Sequence, residues 1–146
     1  MRPEGITVLL VEDDPGDVLL IREVFDERAV SNRLEVVGDG VEAMHYVRGE
    51  GAFTGSERPD LILLDLNLPR KSGSEVLAEI KGDPALASIP VVVLTTSEAE
   101  EDVTRAYRHN ANAYITKPVD FTRFREVVHL IDDFFVGIVR LPPHPA

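Results

Sequence analysis

Five polar side chains follow apolar runs that have the length and composition of buried strands. In chain order they are Glu12 and Asp13 after the first run, Asp65 after the third, Thr95 after the fourth and Lys117 just after the fifth. In a parallel sheet the carboxyl ends of the strands lie at one edge, which is where ligands bind in such folds. We therefore expect three carboxylates, one hydroxyl and one amine to converge at that edge.

This set of groups suits a phosphoryl transfer that depends on magnesium. Carboxylates crowded at one edge repel one another and lose hydration, and a hard divalent cation compensates for both effects. Mg²⁺ binds through one or two carboxylates together with water and phosphate oxygens. Asp65 beside such an ion can act as a nucleophile. The ion and Lys117 would then neutralise charge on the transferred group, and Thr95 would donate its hydroxyl to a phosphoryl oxygen.

A simpler role for a strand-end aspartate is to cap the next helix. Asp14, which precedes a proline, already supplies the cap of the first predicted helix, and Ser72 or Ser74 can cap the third without Asp65. Lys117 alone would be an ordinary solvated charge, but it lies between an apolar strand and a proline at the ligand-binding edge. The convergent set therefore indicates chemistry rather than capping.

The apolar pattern predicts five units, each a strand followed by a helix. Strand-length runs occupy residues 6–11, 34–37, 61–64, 91–94 and 113–115. Helical periodicity follows at residues 15–27, 40–48, 73–81, 99–109 and 121 to about 136. Uninterrupted Val, Ile and Leu runs are typical of parallel strands that are buried on both faces. The alternation predicts an α/β fold: a doubly wound (βα)5 domain with a five-stranded parallel sheet.

Boundary signals support these elements. Ser97 with Glu100 forms a capping-box pattern before the fourth helix, and Asp120 is placed to cap the fifth. The longest irregular connection, residues 49–59, is rich in glycine and serine and predicts a surface loop.

Length and composition restrict the class of protein. The chain has 146 residues, 44% of them hydrophobic, which predicts one domain over residues 1–146 with residues 137–146 as a C-terminal extension. A formal net charge of −11 argues against nucleic-acid binding. There is no cysteine, so disulfides, thiolate zinc sites and thiol nucleophiles are excluded. Neither a signal peptide nor a membrane-length apolar run is evident, so we expect a cytoplasmic protein without membrane contact.

The motifs at the strand ends resemble those of bacterial response-regulator receivers, the phosphorylated modules of two-component signalling. They read VEDDP at residues 11–15, LDLNLP at 64–69, LTTS at 94–97 and YITKP at 114–118. The resemblance covers nearly the whole chain, and its specificity lies in the order and spacing of four separate motifs. It implies the flavodoxin-like strand order 2-1-3-4-5. It implies that Asp65 accepts the phosphoryl group, that Asp13 binds Mg²⁺ with Glu12 assisting through water, and that Asn67 supplies a backbone carbonyl. Mn²⁺ or another divalent cation is an alternative occupant.

The same resemblance implies a conformational switch. Thr95 and Lys117 would contact the phosphoryl oxygens, and Tyr114 would be the aromatic residue that turns inward when Thr95 moves. Receivers also have a cis peptide bond at the position of Lys117–Pro118 here. One departure is Thr96, where many receivers carry a smaller alanine, so access to the phosphorylation site is expected to be slower.

Within receivers, the chain resembles the subgroup that accompanies bacterial and cyanobacterial phytochromes. The long loop, the LDLNLP motif, residues 89–97 and the extended C-terminus carry this likeness. It implies a light-regulated histidine kinase as phosphodonor. Only about ten residues follow the last predicted helix, so output is expected through protein contacts. Leu130, Val136, Val139 and Leu141 extend the apolar surface beyond one helix face. We therefore predict a homodimer through the last strand, last helix and C-terminal segment.

Three alternatives share parts of this pattern. A haloacid-dehalogenase-type phosphatase also uses a strand-end aspartate, but it needs a second aspartate where this chain has Asn67. A flavodoxin-like cofactor carrier needs an anion-binding loop after the first strand, where Glu12, Asp13 and Asp14 would repel phosphate. A receiver fold used as an unphosphorylated docking module also fits. In the preferred interpretation the chain is no enzyme beyond catalysing its own phosphoryl transfer and autodephosphorylation.

Overall fold

The computed structural model describes residues 5–28 and 32–144 and contains a five-stranded parallel sheet. The strands are β1 (Thr7–Val11), β2 (Arg33–Val37), β3 (Leu61–Leu64), β4 (Val91–Thr95) and β5 (Ala113–Thr116). Their order in the sheet is β2-β1-β3-β4-β5. The predicted fold class and strand order are confirmed, and β3 has the predicted bounds.

A helix follows each strand. The helices are α1 (Pro15–Asp26), α2 (Gly40–Arg48), α3 (Gly73–Gly82), α4 (Glu100–Arg108) and α5 (Phe121–Ile131). The predicted loop at residues 49–59 includes one turn of 3-10 helix at Gly51–Phe53. The longest α-helix has 12 residues. Among the described helices none combines the length and the apolar character that a membrane span requires.

The strands separate two apolar cores. Leu9 and Val11 of β1 pack into the core beneath α2, α3 and α4, whereas Val8 and Leu10 pack into the core beneath α1 and α5. β3 and β4 alternate in the same way. Because a shift of one residue would exchange these two sets of side chains, burial on both faces fixes the strand register. That register aligns the carboxyl ends of the three central strands at one edge of the sheet.

Side-chain caps define where four helices begin, among them α2, where Asp39 accepts from the Glu42 amide. Asp14 accepts hydrogen bonds from the backbone at the start of α1, and Asp120 accepts one at the start of α5, as predicted. Ser72 caps α3 and forms a capping box with Glu75. Asp65 is therefore not needed as a cap for α3, as expected from the sequence.

The capping box predicted at Ser97 and Glu100 is wrong. The N-cap of α4 is Ala99, and no side-chain cap bond is present there. Glu100 is the first helical residue rather than the third, so it cannot return to the backbone of Ser97. The Ser97 hydroxyl instead donates to the carboxylate of Asp102 at 2.5 Å.

The last α-helix is shorter than predicted. α5 ends at Ile131 and the chain continues as a π-helix over Asp132–Ile138, instead of remaining α-helical to about residue 136. In this segment Asp132 and Asp133 accept hydrogen bonds from the Arg28 guanidinium at 3.0 and 2.8 Å. The chain then folds back on its own domain, where His144 Nε2 lies 2.7 Å from the Asp60 carboxylate. Part of the C-terminal extension is thus covered within the chain.

Two glycines allow backbone segments to approach closely beside the strand ends. A Cβ atom on Gly73 would lie 2.1 Å from the carbonyl oxygen of Asp65, and one on Gly40 would lie 2.0 Å from that of Lys71. Both distances are far below a normal contact. The Gly73 amide also donates to the Leu66 carbonyl at 3.0 Å. The first turn of α3 therefore presses on the backbone that carries Asp65 and fixes its position.

Candidate functional site

The five strand-end side chains converge at the carboxyl edge of the sheet. Lys117 Nζ donates to Asp65 Oδ2 at 3.1 Å and to Glu12 Oε1. One carboxylate oxygen from each of Glu12, Asp13 and Asp65 lies within 4.8 Å of the others. Thr95 is the last residue of β4, the neighbour of β3 in the sheet. The sequence argument expected this assembly.

Most of these groups are shielded from solvent. Glu12 is 3% exposed, Asp65 and Lys117 are each 6% exposed, and Thr95 is fully buried. Asp13 is exposed and lies at the mouth of the cluster. Buried charges are tolerated only when they are paired. The Lys117 ammonium meets this requirement, because it contacts both buried carboxylates.

The pKa values of two groups are raised, for different physical reasons. Burial raises the pKa of Glu12 to about 7, although the Lys117 ammonium acts to lower it. Burial alone would lower the pKa of Lys117, but its hydrogen bonds to Glu12 and Asp17, with the charges of Glu12 and Asp65, raise it above the usual lysine range. Lys117 therefore remains a cation at any physiological pH.

The Asp65 carboxylate is held by a different donor on each oxygen. Oδ1 accepts from the backbone N–H of Asn67 at 3.0 Å, and Oδ2 accepts from Lys117. The Asp65 amide donates to the Val11 carbonyl of β1 at 3.1 Å, which fixes the backbone of the residue. Asn67 is exposed at the rim beside it. An ionised carboxylate oriented in this way is a suitable nucleophile for an electrophile that enters from the open side.

The carboxylate cluster fits a hard divalent cation. Glu12, Asp13 and Asp65 place three carboxyl groups against the single positive charge of Lys117, so this local set has a negative excess once they are ionised. Oxygen donors of this kind suit Mg²⁺ and Mn²⁺. The side chains of these three residues could hold such an ion.

The structure adds Asp17, which the sequence argument missed. Asp17 lies in the first turn of α1, and its carboxylate accepts from Lys117 Nζ at 2.9 Å. Asp17 does not directly follow a strand, so the rule that indicates the other five residues does not include it. One signal in the sequence could have indicated Asp17. It is an acidic residue in the first turn of a helix that begins at the same edge of the sheet.

Residues 8–129 match the protein family described as the response regulator receiver domain. The chain belongs to this family. Because the match spans most of the chain, it decides in favour of a receiver and against a haloacid-dehalogenase-type phosphatase or a flavin carrier. A receiver is a signalling module rather than an enzyme that turns over a separate substrate.

Three relatives make the comparison more specific. The chain is 45% identical over 135 residues to the response regulator Rcp1 of Synechocystis sp., with 92% of each chain covered. The crystal structure of Mn²⁺-bound Rcp1 is 44% identical with a TM-score of 0.93, covering 94% of this chain and 99% of that one. The crystal structure of the phosphorylated cyanobacterial phytochrome response regulator RcpA is 46% identical with a TM-score of 0.93, covering 95% of this chain and 99% of that one. The bacteriophytochrome response regulator RtBRR is 40% identical with a TM-score of 0.73, covering 95% of this chain and 84% of that one. The predicted resemblance to phytochrome-associated receivers is confirmed.

The receiver's predicted switch residues are connected through Ser97. The Tyr114 hydroxyl donates to the Ser97 carbonyl at 2.8 Å, and the Ser97 amide lies 3.5 Å from the Thr95 hydroxyl oxygen. The Tyr114 ring is partly buried against the core beneath α2, α3 and α4. Tyr114 thus lies inward in this structure. Its role as a switch stays a prediction.

The predicted cis peptide bond at Lys117–Pro118 is not observed, since this bond is trans. Trans is the intrinsically favoured isomer even before proline. Lys117 still points into the receiver's site with this bond in trans, and its amide donates to the Thr95 carbonyl at 2.7 Å. Thr96, the predicted obstacle to access, has an exposed side chain.

Proposed function

We propose that Asp65 accepts a phosphoryl group from a sensor histidine kinase and that the phosphorylated receiver signals through protein contacts. The observation that carries this proposal is the position of the Asp65 carboxylate between the Lys117 ammonium and the Asn67 amide, beside two further carboxylates. The likeness to phytochrome response regulators supports a phytochrome-type kinase as the donor. The exchange would take place in the cytoplasm, the compartment that the sequence predicts.

The proposed transfer needs no proton from the receiver. A carboxylate oxygen of Asp65 attacks phosphorus, an O–P bond forms, and the N–P bond of the kinase phosphohistidine breaks with its electron pair left on the imidazole nitrogen. Lys117 donates to a phosphoryl oxygen throughout, and the Thr95 hydroxyl donates to another. In autodephosphorylation water attacks the same phosphorus, the O–P bond to Asp65 breaks with its electron pair left on the carboxylate, and the protons of the water remain with the released phosphate.

A divalent cation would be held by the side chains of Glu12, Asp13 and Asp65, with Glu12 acting through water and Asn67 adding its backbone carbonyl. Bound there, Mg²⁺ or Mn²⁺ would neutralise charge on the transferred group. The geometry of the three carboxylates supports this assignment, as does the Mn²⁺-bound structure of Rcp1.

The test of the proposed function is the intact mass of the chain after incubation with acetyl phosphate. In excess Mg²⁺ we expect the mass of one phosphoryl group to be gained, because a small donor replaces the kinase at the same site. Chelation of the metal should prevent the gain. A chain that stays unmodified with Mg²⁺ would instead support a docking module that phosphorylation does not regulate.

We also propose that the receiver, with residues 137–146 as its extension, forms a homodimer through β5, α5 and the C-terminal segment. The exposed apolar side chains of Leu130 on α5 and Phe134 in the π-helix support this interface. Val136 does not contribute to the interface, because it packs against the core of its own chain. Sedimentation at tens of micromolar protein should give the mass of two chains. A monomer under those conditions would remove this proposal.

A further inference from the structure

The Lys117 ammonium has a third acidic partner, which comes from a helix rather than from a strand end. Besides Glu12 and Asp65, its Nζ atom donates to Asp17 Oδ2 at 2.9 Å. The Lys117 side chain is 5% exposed, and the Asp17 side chain is 24% exposed. Asp17 therefore covers the ammonium from the direction of α1.

The three contacts use the full donor capacity of the ammonium. A lysine has three N–H donors and no acceptor. Glu12 lies at the end of β1, Asp17 in the first turn of α1 and Asp65 at the end of β3, so the acceptors belong to three separate elements. With two N–H groups held by Glu12 and Asp17, the third is directed at Asp65. Without Asp17 one N–H would turn to water, and rotation about the Cε–Nζ bond would be less restricted.

Ordinary structural roles do not account for the direction of the Asp17 side chain. Asp14 already caps α1, and it accepts a hydrogen bond from the Asp17 amide at 3.1 Å. An acidic residue in the first turn also interacts favourably with the helix dipole. That interaction is satisfied by any orientation of the carboxylate towards solvent, whereas Asp17 reaches inward to Lys117. Asp17 does not belong to the cluster of carboxylates whose oxygens lie within 4.8 Å of one another.

We propose that Asp17 is a positioning residue for phosphoryl transfer. It holds one N–H of Lys117, so that the remaining N–H is aimed first at the Asp65 oxygen and then at the phosphoryl oxygen that takes its place. This inference rests on the proposed function of Asp65. It assigns to α1 a direct part in orienting the cation of the site.

Two substitutions separate the orienting hydrogen bond from the charge of Asp17. Asp17→Asn removes the charge and keeps an oxygen that can accept from Lys117, whereas Asp17→Ala removes both. Loss of the charge alone also reduces repulsion of an anionic phosphodonor, and this effect is common to the two variants. The difference between them therefore measures the hydrogen bond. Asp14→Asn is the matched control, because it removes one exposed charge from the same helix end and retains a capping side chain.

The kinetic test uses acetyl phosphate and saturating Mg²⁺, with the rate of phosphorylation followed by intact mass. We expect Asp17→Ala to be about tenfold slower than the native chain, because a misaligned charged donor stabilises the transition state poorly. Asp17→Asn should restore the rate to within about threefold, and Asp14→Asn, which shows the effect of charge loss alone, should also stay within about threefold of the native rate. Asp17→Ser, whose hydroxyl is too short to reach the ammonium, is a second truncation that should resemble Asp17→Ala. Equal rates in the native, Asn, Ala and Ser chains would overturn the proposal.

A second measurement needs neither metal nor phosphodonor. In a ¹⁵N-labelled, metal-free chain the Lys117 ammonium should give a slowly exchanging signal, assigned by its loss in Lys117→Met. We expect hydrogen exchange from this ammonium to be at least about tenfold faster in Asp17→Ala and close to native in Asp17→Asn. Unchanged exchange in Asp17→Ala would overturn the positioning role even if phosphorylation occurs. Failure of the native chain to gain a phosphoryl group would contradict the proposed function. The exchange rates would still test whether Asp17 holds the Lys117 ammonium, because they are measured without phosphodonor.

Discussion

Asp65→Asn is expected to abolish the gain of a phosphoryl group from acetyl phosphate and Mg²⁺, as measured by intact mass. An amide nitrogen replaces one carboxylate oxygen, and the remaining neutral oxygen is a poor nucleophile. The substitution also disturbs the local hydrogen bonds, because both native oxygens accept from donors, the Asn67 amide and the Lys117 ammonium. Whichever way the amide turns, its NH₂ group faces a donor. This mismatch costs about 1–3 kcal/mol of folding free energy.

Asp60→Asn is the matched control for this substitution. Asp60 directly precedes β3, whereas Asp65 directly follows it, and both carboxylates are buried. Asp60 accepts from the Thr7 amide at 2.8 Å and lies far from the phosphorylation edge, at the opposite ends of the strands. We expect this variant to lose stability and to gain the phosphoryl group like the native chain. A phosphoryl group on Asp65→Asn would show that another residue is the acceptor.

Lys117→Met is expected to slow phosphorylation by about 100-fold to 1,000-fold, the usual effect of removing one preorganised donor to developing charge. Its second expected effect is a change in the response to metal. Without the ammonium, Glu12 and Asp65 remain buried and unpaired, which costs about 3 kcal/mol of folding free energy in metal-free buffer. A divalent cation no longer competes with Lys117 for these oxygens. Urea unfolding should therefore show that Mg²⁺ stabilises the variant more than the native chain.

Lys81→Met provides the control, because Lys81 is a half-buried lysine away from the site. Lys81 Nζ donates to the carbonyls of Ala87 and Ile89 at 3.0 and 2.7 Å and to the Asn112 side chain at 3.2 Å. Burial lowers its pKa, and no carboxylate contributes to that shift. Its replacement should destabilise the fold by about 1–3 kcal/mol regardless of Mg²⁺ and leave phosphorylation at the native rate. If Mg²⁺ stabilised Lys117→Met and the native chain equally, Lys117 and the metal would not share ligands.

The site could be predicted from the sequence because the carboxyl ends of parallel strands meet at one edge of the sheet. Once the apolar runs were recognised as parallel strands, their carboxyl ends had to meet at one edge, and with them Glu12, Asp65 and Lys117. The assignment was secure because Asp14 and Ser72 supply caps to the helices that follow. The capping box predicted at α4 is wrong, because Ser97 and Glu100 have the right spacing but the helix begins two residues too late to form it.

The properties that escaped sequence analysis involve contacts between elements that are distant along the chain. Asp17 lies 100 residues from Lys117, and nothing in the spacing of α1 indicates in which direction its carboxylate turns. The π-helix after α5 coincides with hydrogen bonds to Arg28, more than 100 residues away. The inward position of Tyr114 depends on the path of the loop that presents the Ser97 carbonyl.

The sequence by itself determined the parallel sheet and the set of charged groups at its carboxyl edge, because hydrophobic periodicity and parallel connectivity leave few other arrangements. The tertiary structure alone decided how those charges are paired. One ammonium serves three carboxylates, Glu12, Asp17 and Asp65, and burial then raises the pKa of Glu12. Pairing depends on distances of a few ångströms and on the exclusion of water, and both arise only when the strand ends and the first turn of α1 pack together.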